Sequence, residues 1–130
     1  MKSIWIVDDD EEMSRAISLY LGLMDCEATS FLNARTAAQA LLTGRRPELL
    51  LLDINMPEVT GLDLLEFIRR GEWCSLPVLM LSSEATDVMI DRALEIGADG
   101  YMTKPITYEE LETAISRAFQ KNQKGFTTHV

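Results

Sequence analysis

The stretch Leu49-Leu50-Leu51-Leu52-Asp53-Ile54-Asn55-Met56-Pro57 narrows the possible fold more than any other. Its leucines are uninterrupted, so neither face of the segment is left for water. A strand of this kind belongs in the middle of a parallel sheet, with helices covering both sides. The run ends in a single carboxylate, Asp53, and Asn55, Pro57 and Gly61 then punctuate a loop. In open α/β sheets, ligands collect beyond the carboxyl ends of the strands. Asp53 therefore stands where chemistry is usually done.

The rest of the chain repeats the pattern. Ser3 to Val7 is rich in β-branched and aromatic residues and reads as a first strand. After Asp8-Asp9-Asp10-Glu11-Glu12, the positions Met13, Ile17, Tyr20 and Met24 follow helical spacing. Asp10 suits the N-cap, and Glu11 and Glu12 suit the positive end of the helix dipole. Gly22 either weakens that helix or ends it. Glu27 to Phe31 is a weaker strand. Asn33 can cap a short helix through Ala37, Ala40 and Leu41, closed by Gly44. The leucine strand comes next, and then a helix with Leu62, Leu65, Phe67 and Ile68, ended by Gly71. Val78 to Leu81 is a second continuous apolar strand, ending in Ser82-Ser83-Glu84. Thr86 or Asp87 starts a helix through Ile90, Ala93 and Leu94, which Gly97 closes. Gly100 to Thr103 is a short strand stopped by Lys104-Pro105. Thr107 and Glu110 have capping-box spacing ahead of Leu111, Ala114, Ile115, Ala118 and Phe119. Residues 1–120 thus form one domain, and 121–130 read as a polar tail or the start of a linker. Strands alternating with helices predict an α/β fold with a parallel sheet wound on both faces. Periodicity alone leaves the strand order open.

Composition excludes some functions. Hydrophobic residues make up 47% of the 130, enough for a core. No apolar run approaches the ~20 residues that span a bilayer, and the N-terminus lacks the pattern of a signal peptide. Cys26 and Cys74 have no metal-ligand spacing, and free thiols in the cytoplasm are the simplest reading. A formal net charge of −9 repels a nucleic acid backbone, so no direct binding to DNA or RNA is expected.

Each strong strand ends in a polar residue. The strand ends supply Asp8 and Asp9, Asp53, Ser82 and Lys104, and a parallel sheet gathers them on one edge. Two carboxylates ~4 Å apart repel by roughly 4 kcal/mol at an effective dielectric near 20. Three of them outnumber the one lysine, and a divalent cation resolves the surplus. Oxygen ligands without His or Cys favour Mg²⁺ or Mn²⁺. Mg²⁺ shares its shell with waters and phosphate, so the site suits an incoming phosphoryl group. Lys104 would neutralise phosphoryl oxygens, Ser82 would donate to another, and Asp53 would be the nucleophile. Capping explains Asp10 better than the aspartates before it. Ser82 and Lys104 matter through their joint arrival, and Tyr101 and the methionines are most simply packing residues.

These residues resemble the receiver domain of bacterial two-component response regulators, nearest in style to the single-domain chemotaxis type. The resemblance runs from Ile4 to about Phe119. Its marks are Val7-Asp8-Asp9, Leu52-Asp53-Ile54-Asn55-Met56-Pro57 with Gly61, Leu81-Ser82-Ser83-Glu84-Ala85, Gly97-Ala98-Asp99-Gly100-Tyr101 and Lys104-Pro105. It implies a flavodoxin-like, five-stranded sheet in the order 2-1-3-4-5 with five helices. It implies Mg²⁺ held by Asp9, Asp53 and the backbone carbonyl of Asn55, with Asp8 acting through water. Asp53 would take phosphate from the phosphohistidine of a sensor kinase or phosphotransfer protein. Lys104 would contact the phosphoryl group, and the Lys104–Pro105 bond would be cis. Ser82 would close on a phosphoryl oxygen, and Tyr101 would rotate inward. That change would alter the face made by helix 4, strand 5 and helix 5, which a downstream protein or fused output domain reads. Asn55 and Glu84 align with the positions that tune hydrolysis, in a combination like the short-lived chemotaxis type. The resemblance also implies a monomer or a phosphorylation-dependent dimer.

Two other readings compete with this switch. One is a Mg²⁺-dependent phosphohydrolase with an aspartyl nucleophile. It usually needs a second carboxylate two residues after the first, where this chain has Asn55. The other is an adaptor that never takes phosphate, which a missing acidic or switch residue would favour. Val88 and Met89 are expected to leave apolar surface on the fourth helix.

Overall fold

The computed structural model describes residues 1–83 and 86–127, the last seven of these by backbone alone. Strands and helices alternate throughout: β1 (Lys2–Val7), α1 (Glu11–Leu23), β2 (Cys26–Phe31), α2 (Ala34–Leu42), β3 (Leu49–Asp53), α3 (Gly61–Arg70), β4 (Val78–Ser82), α4 (Asp87–Ile96), β5 (Gly100–Thr103) and α5 (Tyr108–Thr127). The sheet is parallel, in the order β2-β1-β3-β4-β5. The order that the resemblance implies is the one observed. Among the described residues no helix is long and apolar enough to cross a membrane.

The leucine run explains why β3 lies at the centre. All its residues are buried, and alternate side chains feed two separate cores. Leu50 and Leu52 join Trp5, Val7, Val78 and Met80 beneath α2, α3 and α4. Leu49 and Leu51 join Ile4, Ile6, Leu79 and Leu81 beneath α1 and α5. Each fully buried leucine contributes about 2 kcal/mol of burial relative to exposure. A polar residue on either face would forfeit that and add a desolvation cost.

The helix caps follow the sequence. Asp10 accepts from the Met13 N–H, Asn33 from Thr36 and Thr86 from Met89. Thr107 Oγ1 accepts from the Glu110 N–H. Gly44 and Gly97 take positive φ just past their helices, at 100° and 123°, where a side chain is strained. Gly22 lies inside α1 rather than ending it.

Three details differ from the sequence expectations. The stretch from 121, expected as a tail, continues α5 as far as Thr127. Gln120, Lys121, Gln123 and Lys124 are good helix formers, so the helix outlasts the apolar face that anchors it. In α3 the inward residues are Leu64, Leu65 and Ile68. Phe67 instead sits at the margin, against Trp73 at 5.2 Å between ring centroids. On α4, Val88 is 76% exposed, whereas Met89 packs partly into the core.

Candidate functional site

The sheet itself assembles the site. Val7 pairs with Leu52, so the next residues along, Asp8 and Asp53, emerge side by side. Three backbone bonds carry the ladder past the strand ends: Asp8 N–H to Phe31 O at 3.0 Å, Ile54 N–H to Leu81 O at 2.9 Å, and Lys104 N–H to Ser82 O at 2.8 Å. The last seats Lys104 directly beside Ser82. The Lys104–Pro105 peptide is cis, as expected.

Asp8, Asp53 and Ser82 are all buried, at 0%, 4% and 1% exposure, while Asp9 is exposed. Carboxylate oxygens of Asp8, Asp9 and Asp53 lie within 4.8 Å of one another. Lys104 Nζ stands 2.7 Å from Asp8 Oδ2 and 3.7 Å from Asp53 Oδ2. Asp8 Oδ1 accepts the Asp10 N–H at 3.0 Å, and Asp53 Oδ1 accepts the Asn55 N–H at 3.3 Å. Asp8 Oδ2 has no well-aligned hydrogen-bond donor among the described residues. The 2.7 Å separation from a full positive charge decides the matter, and the contact is ionic before it is directional.

The charges perturb one another. Burial first, then the Asp8 charge, push the Asp53 carboxyl up to about 7; Lys104 and the Asn55 N–H pull the other way. Burial alone would lower Lys104. Its hydrogen-bonding contact with Asp8 and the charges of Asp8, Asp53 and Asp10 outweigh that and raise it. A buried carboxyl shifted this far by burial and a charged neighbour, at the carboxyl edge of a parallel sheet, is a mark of a functional site.

A hard divalent cation fits this donor set. Every side-chain donor is oxygen, the three carboxylates converge, and Lys104 is the one cation that faces them among the described residues. Asp8, Asp9 and Asp53 are the side chains that would hold it.

The described residues thus bring together Asp8, Asp9, Asp53, Ser82 and Lys104. Asn55 is next to them and exposed, and Tyr101, 47% exposed, stands away from the cluster on β5. Glu84 lies outside the described residues. Sequence reasoning missed the contact of Gly61 with the backbone of Asp53, for which glycine after a turn was the only signal. It also missed a clamp at the opposite edge. There Arg69 donates to Gly97 O, Cys74 O and Leu76 O at 2.9, 3.2 and 2.7 Å and pairs with Asp99 Oδ2 at 3.0 Å.

The family profile described as "Response regulator receiver domain" matches residues 4–116. The chain belongs to that family. Phosphorylation on an aspartate is a property of receiver domains, which bind Mg²⁺ at an acidic pocket and work with histidine kinases and output domains. This receiver domain is similar to the chemotaxis protein CheY of Pseudomonas aeruginosa, with 36% identity over 119 residues, 91% of this chain and 96% of that protein. It is 30% identical over 125 residues to the phosphate regulon transcriptional regulatory protein PhoB of the same species, covering 95% of this chain and 54% of PhoB. It therefore spans about half the length of the transcriptional relative and nearly all of the chemotaxis one. A CheY-like receiver domain from Methanospirillum hungatei superposes with a TM-score of 0.87 at 25% identity, covering 96% of this chain and 98% of that one.

Proposed function

We propose that this receiver domain is a Mg²⁺-dependent phosphorylation switch. Asp53 accepts a phosphoryl group from the phosphohistidine of a sensor kinase or phosphotransfer protein in the cytoplasm. One observation carries the reading: a buried carboxylate has two further acids within 4.8 Å and an ammonium at 3.7 Å.

Asp9, Asp53 and the Asn55 carbonyl would hold Mg²⁺ (or Mn²⁺), with Asp8 acting through water. When bound, the cation supplies positive charge that draws the phosphoryl oxygens and the Asp53 carboxylate together despite their repulsion. The chain's own residues do the rest. An Asp53 oxygen attacks phosphorus, the phosphorus–nitrogen bond breaks, and the imidazole leaves with the bonding pair. Lys104 shifts from Asp8 toward the transferred group and takes up its charge. The Ser82 hydroxyl donates to another phosphoryl oxygen and draws its loop inward. Asn55 and Glu84 occupy the sequence positions that would tune hydrolysis and so the lifetime of the phosphorylated state.

The expected test is labelling by acetyl phosphate or phosphoramidate with Mg²⁺, read by intact mass. The parent gains one phosphoryl group and Asp53→Asn gains none; equal labelling of both removes Asp53 from the role. Steady phosphate release from sugar phosphates would favour the phosphohydrolase instead.

The output face would be α4, β5 and α5. Tyr101, Met102, Ala114 and Arg117 line a groove of about 590 Å³ there, with Val88 and Leu94 exposed on the neighbouring helix. A downstream protein or a fused output domain would read it, by a monomer or by a phosphorylation-dependent dimer. Beryllofluoride with Mg²⁺ is expected to move amide resonances at Val88–Leu94 and Tyr101 beyond those of the site itself. Shifts confined to the site would place the output elsewhere.

A further inference from the structure

Gly61 opens α3 at a point where the chain has no room. A side-chain carbon built on it would lie 2.0 Å from the carbonyl oxygen of Asp53, 2.8 Å from that carbonyl carbon and 2.9 Å from Ile54 Cα. All three are backbone atoms, which cannot swing aside as a side chain would. The Gly61 N–H also donates to Ile54 O at 2.9 Å. The tip of α3 thus rests on the peptide group that carries the phosphoacceptor.

The helix behind that tip is firmly keyed. Leu64, Leu65 and Ile68 bury its body. A reciprocal capping box aims its first turn: Thr60 Oγ1 accepts the Asp63 N–H and Asp63 Oδ2 accepts the Thr60 N–H, both at 3.2 Å. The loop before it bends sharply, with Glu58 at φ 68° and Met56 buried. Among the described residues the Asp53 side chain accepts one long hydrogen bond, 3.3 Å from the Asn55 N–H, and stands 3.7 Å from Lys104 Nζ. Its aim therefore depends on its backbone, which the β3 ladder carries and the tip of α3 abuts.

We propose that Gly61 is a positioning residue for the phosphoryl-transfer site, resting on the reading of Asp53 as phosphoacceptor. The close docking of α3 fixes where the Asp53 carboxylate and the Asn55 carbonyl meet the cation. Moving that peptide by a fraction of an ångström misplaces both together.

The test compares parent, Gly61→Ala, Thr60→Ala and Thr60→Ser. Mg²⁺ affinity is read by calorimetry and labelling rate with acetyl phosphate, each on protein shown to be folded by circular dichroism. Gly61→Ala is expected to bind Mg²⁺ more weakly and to label roughly tenfold slower or worse, because sub-ångström misplacement is costly to transfer. Thr60→Ala shows a smaller loss in the same direction, and Thr60→Ser, which keeps the hydroxyl cap, restores it. If Gly61→Ala does not fold, the Thr60 pair decides. A folded Gly61→Ala with parental affinity and rate overturns the proposal. So does a Thr60→Ala that melts earlier yet binds and labels like the parent. A parent that neither binds Mg²⁺ nor takes phosphoryl defeats the phosphoacceptor reading itself.

Discussion

Asp53→Asn is expected to stabilise the cation-free protein at neutral pH while abolishing labelling. Asp53 is buried beside Asp8, and its carboxyl stands at about 7 rather than 3.8. The folded state therefore holds that proton more tightly than the unfolded chain does. Below about pH 4 both states are protonated and the group is neutral to stability. As pH rises toward 7 the unfolded chain ionises freely while the folded one resists, so stability is lost across that window. Above it the deficit is constant, on the order of 4 kcal/mol, since the rise from 3.8 to about 7 is worth about 1.4 kcal/mol per pKa unit. Asparagine fills the same space with no charge to desolvate. Urea melts in EDTA at pH 7.5 should place the variant's midpoint above the parent's, with the gap closing near pH 4. Saturating Mg²⁺ should close it from the other side, by binding the charged parent site. Coincident midpoints at pH 7.5 without cation would mean that Asp53 carries no such strain.

Arg69→Ala is the corresponding loss at the far edge of the sheet. The guanidinium joins the segments leading into β4 and β5 through Cys74, Leu76, Gly97 and Asp99, and its partner Asp99 also accepts the Val78 N–H at 2.8 Å. Burial pushes the Arg69 pKa down and Asp99 opposes it, but arginine stays charged. Removing one partner of a buried pair costs about 3–5 kcal/mol. The remaining bond to Asp99 argues for about 3 kcal/mol here, or a melting temperature lower by roughly 10 °C. Arg69→Lys should rescue little, because one ammonium cannot serve acceptors arrayed around a planar fork. Labelling of the folded fraction should be unchanged, since none of these groups reaches the carboxylates. A loss under 1 kcal/mol in thermal and urea melts would show that the surrounding loops are held by packing alone.

What the sequence disclosed and what it hid have different physical origins. The strand ends were legible because a buried strand admits polar residues only where it leaves the core; Asp53, Ser82 and Lys104 each mark such an exit. The caps at Asp10, Asn33 and Thr86 were legible because they depend on neighbours within a single turn. Arg69 was opaque, since its acceptors include residues about thirty positions away and three of them are backbone carbonyls, which leave no trace in side-chain identity. The same holds for Gly61, whose neighbour is a carbonyl of a different element. The continuation of α5 past residue 120 was missed because apolar periodicity marks only the part of a helix that packs. Met89 and Phe67 were misjudged by about one helical position each, the usual error where a stripe curves around its own edge.

The two ends of the switch differ in stiffness. β3 is wedged between two cores and every one of its side chains is enclosed, so the strand that bears Asp53 has nowhere to yield. By contrast α4 commits a single fully enclosed residue, the small Ala93. Stress raised at an unyielding anchor relaxes in whichever neighbour has the shallowest grip. The architecture thus separates a rigid keystone from a loosely moored helix, and under the proposed function the first would register the chemical event and the second would broadcast it.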